Sequence, residues 1–149
     1  MNAAVATAPL TIARTFDASP ADLWRAWSEP ELVARWFAPG TMRAEVLAWE
    51  LQPKGRYRIR MHGEDDRTHT VVGRFREVKP GERLVMSWAW EGGEDNESTV
   101  TVTLAAHADG AELRIRHEGL PDEDSRAAHG EGWEGCLANL GSRLPDMLD

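Results

Sequence analysis

The sequence predicts an α+β fold in which a curved seven-stranded antiparallel sheet packs against two short helices and a long C-terminal helix. Three observations lead to this fold class. Through the middle of the chain, apolar and polar residues alternate with the period of two that is typical of strands. The breaks between these extended runs are short and rich in glycine, proline and aspartate, which favours hairpins over the long crossovers of a parallel sheet. A helical period follows the first strand and returns after the last one.

Length and composition limit the function classes. A chain of 149 residues corresponds to one domain, and we expect residues 1–9 to be disordered and residues 10–149 to fold together. The net charge of −8 argues against nucleic acid as a partner, because phosphate binding needs clustered cations. The single cysteine, Cys136, indicates a reducing compartment. Without a basic, apolar leader or a long apolar run, we expect a cytoplasmic protein that does not span a membrane.

The first elements are a strand and two short helices. Leu10–Asp17 alternates as a strand does. Ser19 and Asp22 form a capping box around Pro20, which together mark a helix start. That helix should end just before Pro30, since the residue preceding a proline avoids the α region. Pro30 begins a second helix, whose apolar residues recur at helical spacing: Leu32, Val33, Trp36 and Phe37.

Six further strands are predicted from position 43 onward. Their ranges are Arg43–Leu51, Gly55–His62, Thr68–Val78, Arg83–Glu91, Ser98–His107 and Ala111–Gly119. The Asp109-Gly110 pair predicts a hairpin, because both residue types accept the positive φ of tight turns. Alternation places leucine, methionine and tryptophan on one face of the sheet and arginine and threonine on the other. We interpret the arginine-rich side as the solvated face, where exposed arginines pair across strands with nearby glutamates and aspartates.

The final helix carries one apolar stripe with members three or four residues apart: Trp133, Leu137, Leu140, Leu144 and Leu148. Asp122, Glu123 and Asp124 crowd its predicted start, where negative charge suits the helix dipole. Glycine inside a helix costs about 1 kcal/mol relative to alanine, and this segment contains Gly130, Gly132, Gly135 and Gly141. Either the helix begins later than its acidic start suggests, or another element packs closely against it.

The stripe and the apolar face of the sheet must cover one another. A strongly twisted sheet curls whereas a helix stays straight, so we predict an internal cavity between them. The residues expected to bind a ligand there are Tyr57, Ile59, Met61, Met86, Trp88, Trp90, Val102, Ile115, His117, Trp133 and Leu137. Seven tryptophans against three phenylalanines and one tyrosine are compatible with a tryptophan-rich core or with an aromatic pocket wall.

His117 is the polar residue of most interest, because alternation puts it on the apolar face beside Ile115. It is either a hydrogen-bonded core group, a polar contact for a ligand oxygen, or an acid–base group. The five histidines form neither an HxH pair on a strand nor an i, i+4 pair on a helix, so we predict no metal site. Motifs for a nucleophile elbow or a phosphate loop are absent from the sequence, and we assign no catalytic residue and no cofactor.

These residues also resemble the helix-grip proteins of the START-like, birch-pollen-allergen-like (SRPBCC) superfamily, and within it the family named for the activator of the heat shock protein 90 ATPase. The resemblance covers about residues 10–148. Its motifs are Arg14–Pro20, Leu23–Trp27, Pro30–Leu32, Arg35–Pro39, Pro53–Arg58, Gly73–Val78, Glu82–Val85 with Trp88 and Trp90, and Gly132-Trp133 with Leu137, Leu140 and Leu144. Lys54 stands where family members usually have the first of two glycines.

The resemblance implies the helix-grip fold and an internal hydrophobic pocket, but not one activity. The superfamily includes lipid and steroid carriers, polyketide cyclases and proteins that sequester reactive small molecules. The co-chaperones that name the family carry an additional domain, which a chain of this length lacks. We therefore predict a module that binds a small hydrophobic or aromatic molecule. A cyclase- or hydrolase-like enzyme using the same pocket and a chaperone-binding domain stay open as alternatives, as do a monomer and a homodimer.

Overall fold

The computed structural model describes residues 8–93 and 97–148. The elements follow in the order β1 (Leu10–Phe16), α1 (Pro20–Ser28), α2 (Pro30–Trp36), β2 (Arg43–Trp49), β3 (Arg56–His62), β4 (Thr68–Lys79), β5 (Arg83–Trp90), β6 (Ser98–His107), β7 (Gly110–Glu118) and α3 (Glu123–Met147). The predicted fold class is confirmed. Of the N-terminal segment expected to be disordered, residues 1–7 lie outside the described residues. The Arg126 side chain donates to the carbonyl oxygens of Ala8 and Pro9.

All seven strands form one antiparallel sheet in the order β1-β7-β6-β5-β4-β3-β2. Hairpins join β2 through β7 in sequence, and β1 adds to the far edge by pairing with β7. The register shifts between Val46 and Ala48 in β2 and between Phe75 and Glu77 in β4. Because bulges bend a strand and increase its twist, they curve the sheet around its apolar side.

The predicted start of α1 is confirmed. The Ser19 hydroxyl accepts a hydrogen bond from the Asp22 backbone N–H at 3.1 Å, with Pro20 in the first turn. The two short helices are tied together by the Trp36 indole N–H, which donates to the Ala26 carbonyl at 3.0 Å. Their apolar faces close one end of the curved sheet.

α3 begins at its acidic start, where the Asp122 carboxylate accepts from the Ser125 N–H at 2.8 Å. Of the two explanations for its glycines, close packing is confirmed at one position: a Cβ on Gly135 would lie 2.7 Å from the Cβ of Pro39. The Asn139 side chain donates to the Ala38 carbonyl at 2.6 Å. The connection between α2 and β2 therefore presses directly on the helix. The stripe residues Trp133, Leu137, Leu140 and Leu144 are all buried, as predicted.

The arginine-rich face of the sheet is solvated, and its ion pairs confirm the interpretation from the sequence. Arg58 pairs with Glu91 at 2.8 Å and Arg83 pairs with Glu77 at 3.0 Å. Exposed pairs of this kind contribute little to stability individually. No helix in the described part of the chain has both the length and the hydropathy needed to cross a bilayer.

Lys54, which stands where a glycine was expected, lies in the turn between β2 and β3. Its φ is +73°, in the left-handed region that glycine tolerates best. The Lys54 N–H donates to the Phe75 carbonyl at 2.7 Å, and the Lys54 carbonyl accepts from Arg74 at 3.1 Å. The turn therefore keeps the conformation that a glycine would favour, held by backbone contacts to β4.

Candidate functional site

A pocket of about 300 Å³ lies between the N-terminal half of α3, the connection after α2, and the ends of β3, β4 and β5 that face them. Its walls are mainly aromatic side chains, methionines and small residues. The lining consists of Phe37, Pro39, Met42, Met61, His69, Trp88, Trp90, Ala128, His129, Gly132, Trp133 and Cys136. We call this space the inner pocket.

Two glycines of α3 explain where the inner pocket lies. At Gly135 the helix backbone touches Pro39, which would stand 2.7 Å from an added Cβ. One turn earlier, a Cβ built on Gly132 meets no atom within 4 Å among the described residues. α3 therefore contacts the connection between α2 and β2 at Gly135. About one turn nearer its N-terminus, at Gly132, it leaves a gap. The missing side chain of Gly132 leaves that space open.

Trp88 lies at the centre of the aromatic wall. Its ring centroid is 5.1 Å from that of Trp133, 5.6 Å from that of Trp90 and 6.1 Å from that of Phe37. Tilted and edge-to-face pairs at such distances each contribute about 0.5–1.5 kcal/mol beyond the area they bury. Trp88 is 5% exposed, so most of its ring surface is already covered by these neighbours.

His117 lies behind this wall in a chain of hydrogen bonds. The Trp133 indole N–H donates to His117 Nδ1 at 3.0 Å. Since an indole nitrogen only donates, Nδ1 carries no proton, and the neutral ring must hold its proton on Nε2. That nitrogen lies 2.8 Å from the Ser98 hydroxyl, which in turn donates to the Trp88 carbonyl at 3.3 Å. Both nitrogens of the His117 ring therefore have a hydrogen-bond partner within the protein.

Burial lowers the pKa of His117 to about 3, with a smaller contribution from the neighbouring His129. The ring is therefore neutral at physiological pH, as the hydrogen-bond chain requires. Both of its nitrogens are engaged with Trp133 and Ser98, so neither is available to a ligand oxygen or for proton transfer. Of the three interpretations of His117, the hydrogen-bonded core group fits this geometry.

His129 makes a second bond between a histidine and a tryptophan, at the mouth of the inner pocket. Its Nδ1 lies 2.7 Å from the Ser125 carbonyl, and its Nε2 accepts from the Trp90 indole N–H at 3.2 Å. Trp90 is 38% exposed and also lines the pocket. His129 was not among the residues predicted to bind a ligand, although it lies one helical turn before Trp133, on the same face of the helix.

The residues predicted to bind a ligand fall into three groups. Met61, Trp88, Trp90 and Trp133 line the inner pocket. His117 lies behind it, bonded to Trp133. The remaining six are at most 3% exposed and lie in the core rather than among the lining: Tyr57, Ile59, Met86, Val102, Ile115 and Leu137. A ligand contact by any of the eleven stays a prediction.

The core position of Tyr57 has a visible cause. Its hydroxyl donates to the Ser87 carbonyl at 2.5 Å. The ring lies across Gly73, where an added Cβ would come within 2.6 Å of it. Alternation correctly placed Tyr57 on the apolar face, but the cross-strand glycine lets its ring lie flat against the sheet. The side chain therefore ends in the core and not in open space.

Several lining residues carried no usable sequence signal. Pro39 and Met42 belong to an irregular connection, where no periodicity indicates which side chains point inward. Cys136 packs into the wall of the pocket from α3. It is 5% exposed, and burial raises the pKa of its thiol to about 12. The thiol is therefore protonated at neutral pH and acts as a small apolar part of the wall.

Comparisons with known proteins agree on one family. The family model described as Activator of Hsp90 ATPase homolog 1-like protein matches residues 17–144. The human protein named Activator of 90 kDa heat shock protein ATPase homolog 1 is 26% identical over 132 residues, which cover 87% of this chain and 35% of that protein. This chain thus spans about a third of the length of its human relative.

Solved structures show the same fold over nearly the whole chain. Protein CV1439 of Chromobacterium violaceum has a TM-score of 0.85 at 27% identity, covering 91% of this chain and 96% of that one. The AHSA1 protein of Silicibacter pomeroyi has a TM-score of 0.83 at 24% identity, covering 93% and 98%. With the family model matching most of its length, the chain belongs to the Activator of Hsp90 ATPase homolog 1-like family.

Proposed function

We propose that this protein binds one small hydrophobic or aromatic molecule in the inner pocket. The observation that carries the proposal is the open apolar volume of about 300 Å³ beside three tryptophans. Protein interiors pack as densely as organic crystals and do not ordinarily leave such a space beside large side chains. The volume lies at the lower end of the range for small-molecule sites.

The composition of the wall favours a flat ligand. The indole N–H groups of Trp90 and Trp133 are occupied by histidines, so these two side chains offer their ring surfaces rather than hydrogen bonds. Met42 and Met61 add flexible, polarizable thioethers, which adapt to ligand shape. Aromatic rings packed in this way stack well with another planar ring.

A neutral dye tests the proposal. We expect phenylnaphthylamine to bind at one site per chain, with increased dye emission and quenched tryptophan emission, because the site is apolar and lined by indoles. Gly132→Leu places a side chain in the open volume and should weaken binding at least about tenfold, equivalent to about 1.4 kcal/mol. The matched control is Ala138→Leu, on the exposed side of the same helix.

Two results would contradict the proposal. One is an absence of saturable binding to the wild-type protein. The other is equal affinity in the wild-type and Gly132→Leu proteins while both unfold at the same urea concentration. Loss of binding in Ala138→Leu as well would indicate an effect on the helix rather than on the pocket.

The enzymatic alternative loses the residue on which the sequence analysis based it. His117 was its candidate, and both ring nitrogens are committed to Ser98 and Trp133. The thiol of Cys136 is held in its protonated form by burial. We therefore propose binding without assigning a catalytic group.

The co-chaperone alternative rests on the name of the human relative, of which this chain covers 35%. No observation on the described surface favours the 90 kDa heat shock protein as a partner of this chain. Ligand binding is the function that the geometry supports better, since it uses a specific volume with a specific lining.

A further inference from the structure

A second concave region, which we call the outer groove, adjoins the inner pocket on the solvated side of the sheet. It has a volume of about 490 Å³ and is lined by polar and charged side chains, among them Arg58, Arg60, Thr68 and Thr70. Two residues, His69 and Trp90, line both the outer groove and the inner pocket. An apolar space and a polar one therefore meet at this pair.

The strand ends explain why the two regions meet. β4 begins at Thr68, but its pairing with β5 begins only at Val71, opposite Trp90. Beyond Val71 the two strands share one further backbone hydrogen bond, which the Glu91 N–H donates to the Thr70 carbonyl. Within the described residues, Thr68 and His69 therefore pair with β3 alone. Trp90 and His69 lie at this point and line both regions.

The two arginines of the outer groove differ in how closely they are paired with acidic side chains. Arg58 forms a two-point ion pair with Glu91, with both distances 2.8 Å. Arg60 reaches Glu45 only at 3.9 Å, whereas His62 contacts the same Glu45 oxygen at 2.9 Å. Within residues 8–93 and 97–148, the Arg60 guanidinium makes no hydrogen bond. Among the described residues its donors are thus held only by this longer ion pair, on β3 opposite the hydroxyl-bearing Thr70.

We propose that the ligand is an amphipathic carboxylate, with its apolar rings in the inner pocket and its carboxylate bound by Arg60 in the outer groove. The inference rests on the proposed function and specifies its ligand class. A guanidinium can donate two parallel hydrogen bonds to a carboxylate and form an ion pair with it, whereas a neutral ligand forms no such ion pair. The rings of Trp90 and His69, which line both regions, are in edge-to-face contact with centroids 6.2 Å apart, and the linker between the two ends of the ligand crosses over this pair.

The test compares naphthylpropanoate with its methyl ester, a pair that shares the aromatic body and differs in charge. We expect the acid to bind about tenfold more tightly than the ester in low-salt buffer, because the ester cannot form the ion pair with Arg60 and the site is only partly solvated. Arg60→Gln should remove the difference and leave ester binding unchanged. Arg114→Gln, on the solvated face of distant β7, is the matched control and should alter neither affinity.

The outcomes separate this inference from the proposed function. Equal affinity of acid and ester in the wild-type protein would overturn the carboxylate and leave the hydrophobic site intact. A preference for the acid that survives Arg60→Gln would also overturn it, because the cation would then be elsewhere. Binding of neither compound, together with no binding of phenylnaphthylamine, would remove the proposed function and this inference with it.

Discussion

The molecule contains two tryptophan clusters that use the same side chain for different purposes. The closed cluster is Trp27, Trp36 and Trp49, at the end covered by α1 and α2. The open cluster is Trp88, Trp90 and Trp133, around the inner pocket. In the closed cluster the indoles of Trp36 and Trp49 donate to backbone carbonyls, both at 3.0 Å. In the open cluster the indoles of Trp90 and Trp133 donate to histidines.

The two clusters differ in the group that accepts the hydrogen bond from the indole N–H. A backbone carbonyl accepts at any pH, so the closed cluster is fixed once the chain has folded. An imidazole nitrogen accepts only while it is unprotonated, so the hydrogen bond from Trp133 to His117 requires the neutral His117 ring. The rings of Trp27 and Trp36 are 4.6 Å apart and each is 1% exposed, whereas the open cluster borders empty volume. The close packing of the closed cluster contributes to stability. The open cluster, which borders empty volume, is the better candidate for a binding site.

The largest expected effect comes from breaking the closed cluster. Trp36→Ala removes a fully buried indole and its bond to Ala26, and should lower the free energy of unfolding by about 3–5 kcal/mol. Trp90→Ala, at a position that is 38% exposed, should lower it by less, about 1–2 kcal/mol, mainly through the lost contact with Trp88. Urea unfolding measures both. Similar losses in the two variants would show that the clusters do not differ as described.

A smaller effect should come from acid, and it should act through the open cluster. The pKa of His117 is about 3 in the folded protein and about 6.5 in the unfolded chain. Between these values the unfolded state binds more protons, so stability rises with pH and is lost as the pH falls below about 6.5. At pH 5 the contribution of His117 amounts to a loss of about 2 kcal/mol relative to pH 7.5.

His117→Gln tests this assignment, because glutamine does not titrate. Urea midpoints at pH 7.5 and pH 5 should differ less in the variant than in the wild-type protein. The four other histidines are present in both proteins and cancel in the comparison. An identical pH dependence in the two proteins would assign the acid sensitivity to other groups.

The smallest effects are expected from two glycines of α3. Gly135→Ala puts a methyl group 2.7 Å from the Pro39 Cβ and should destabilise the protein by about 1–3 kcal/mol through overpacking. Gly132→Ala meets open space and should stabilise it by about 1 kcal/mol, because alanine is the better helix former. Thermal unfolding of both variants measures the difference. Destabilisation by Gly132→Ala would show that the inner pocket is less open than described.

Local chemistry in the sequence was sufficient for the elements and their faces. Ser19 with Pro20 predicted the start of α1, and the acids from Asp122 to Asp124 predicted the start of α3. Alternation correctly put Tyr57 and Ile115 on the apolar side of the sheet. These properties depend on capping and on the period of the backbone, which act between residues close in the chain.

Only the tertiary structure decided which side chains on the apolar side reach open space. Alternation gives the face of a strand but not the depth of a side chain, and the depth depends on where a straight helix crosses a curved sheet. The contact of Gly135 with Pro39 sets that crossing, and the gap at Gly132 follows from it. His129 and Met42 join the site by the same crossing, since they come from segments far apart in the sequence. The chain by itself thus determined the sheet, the helices and their apolar faces, while the position of the pocket arose from how these parts meet.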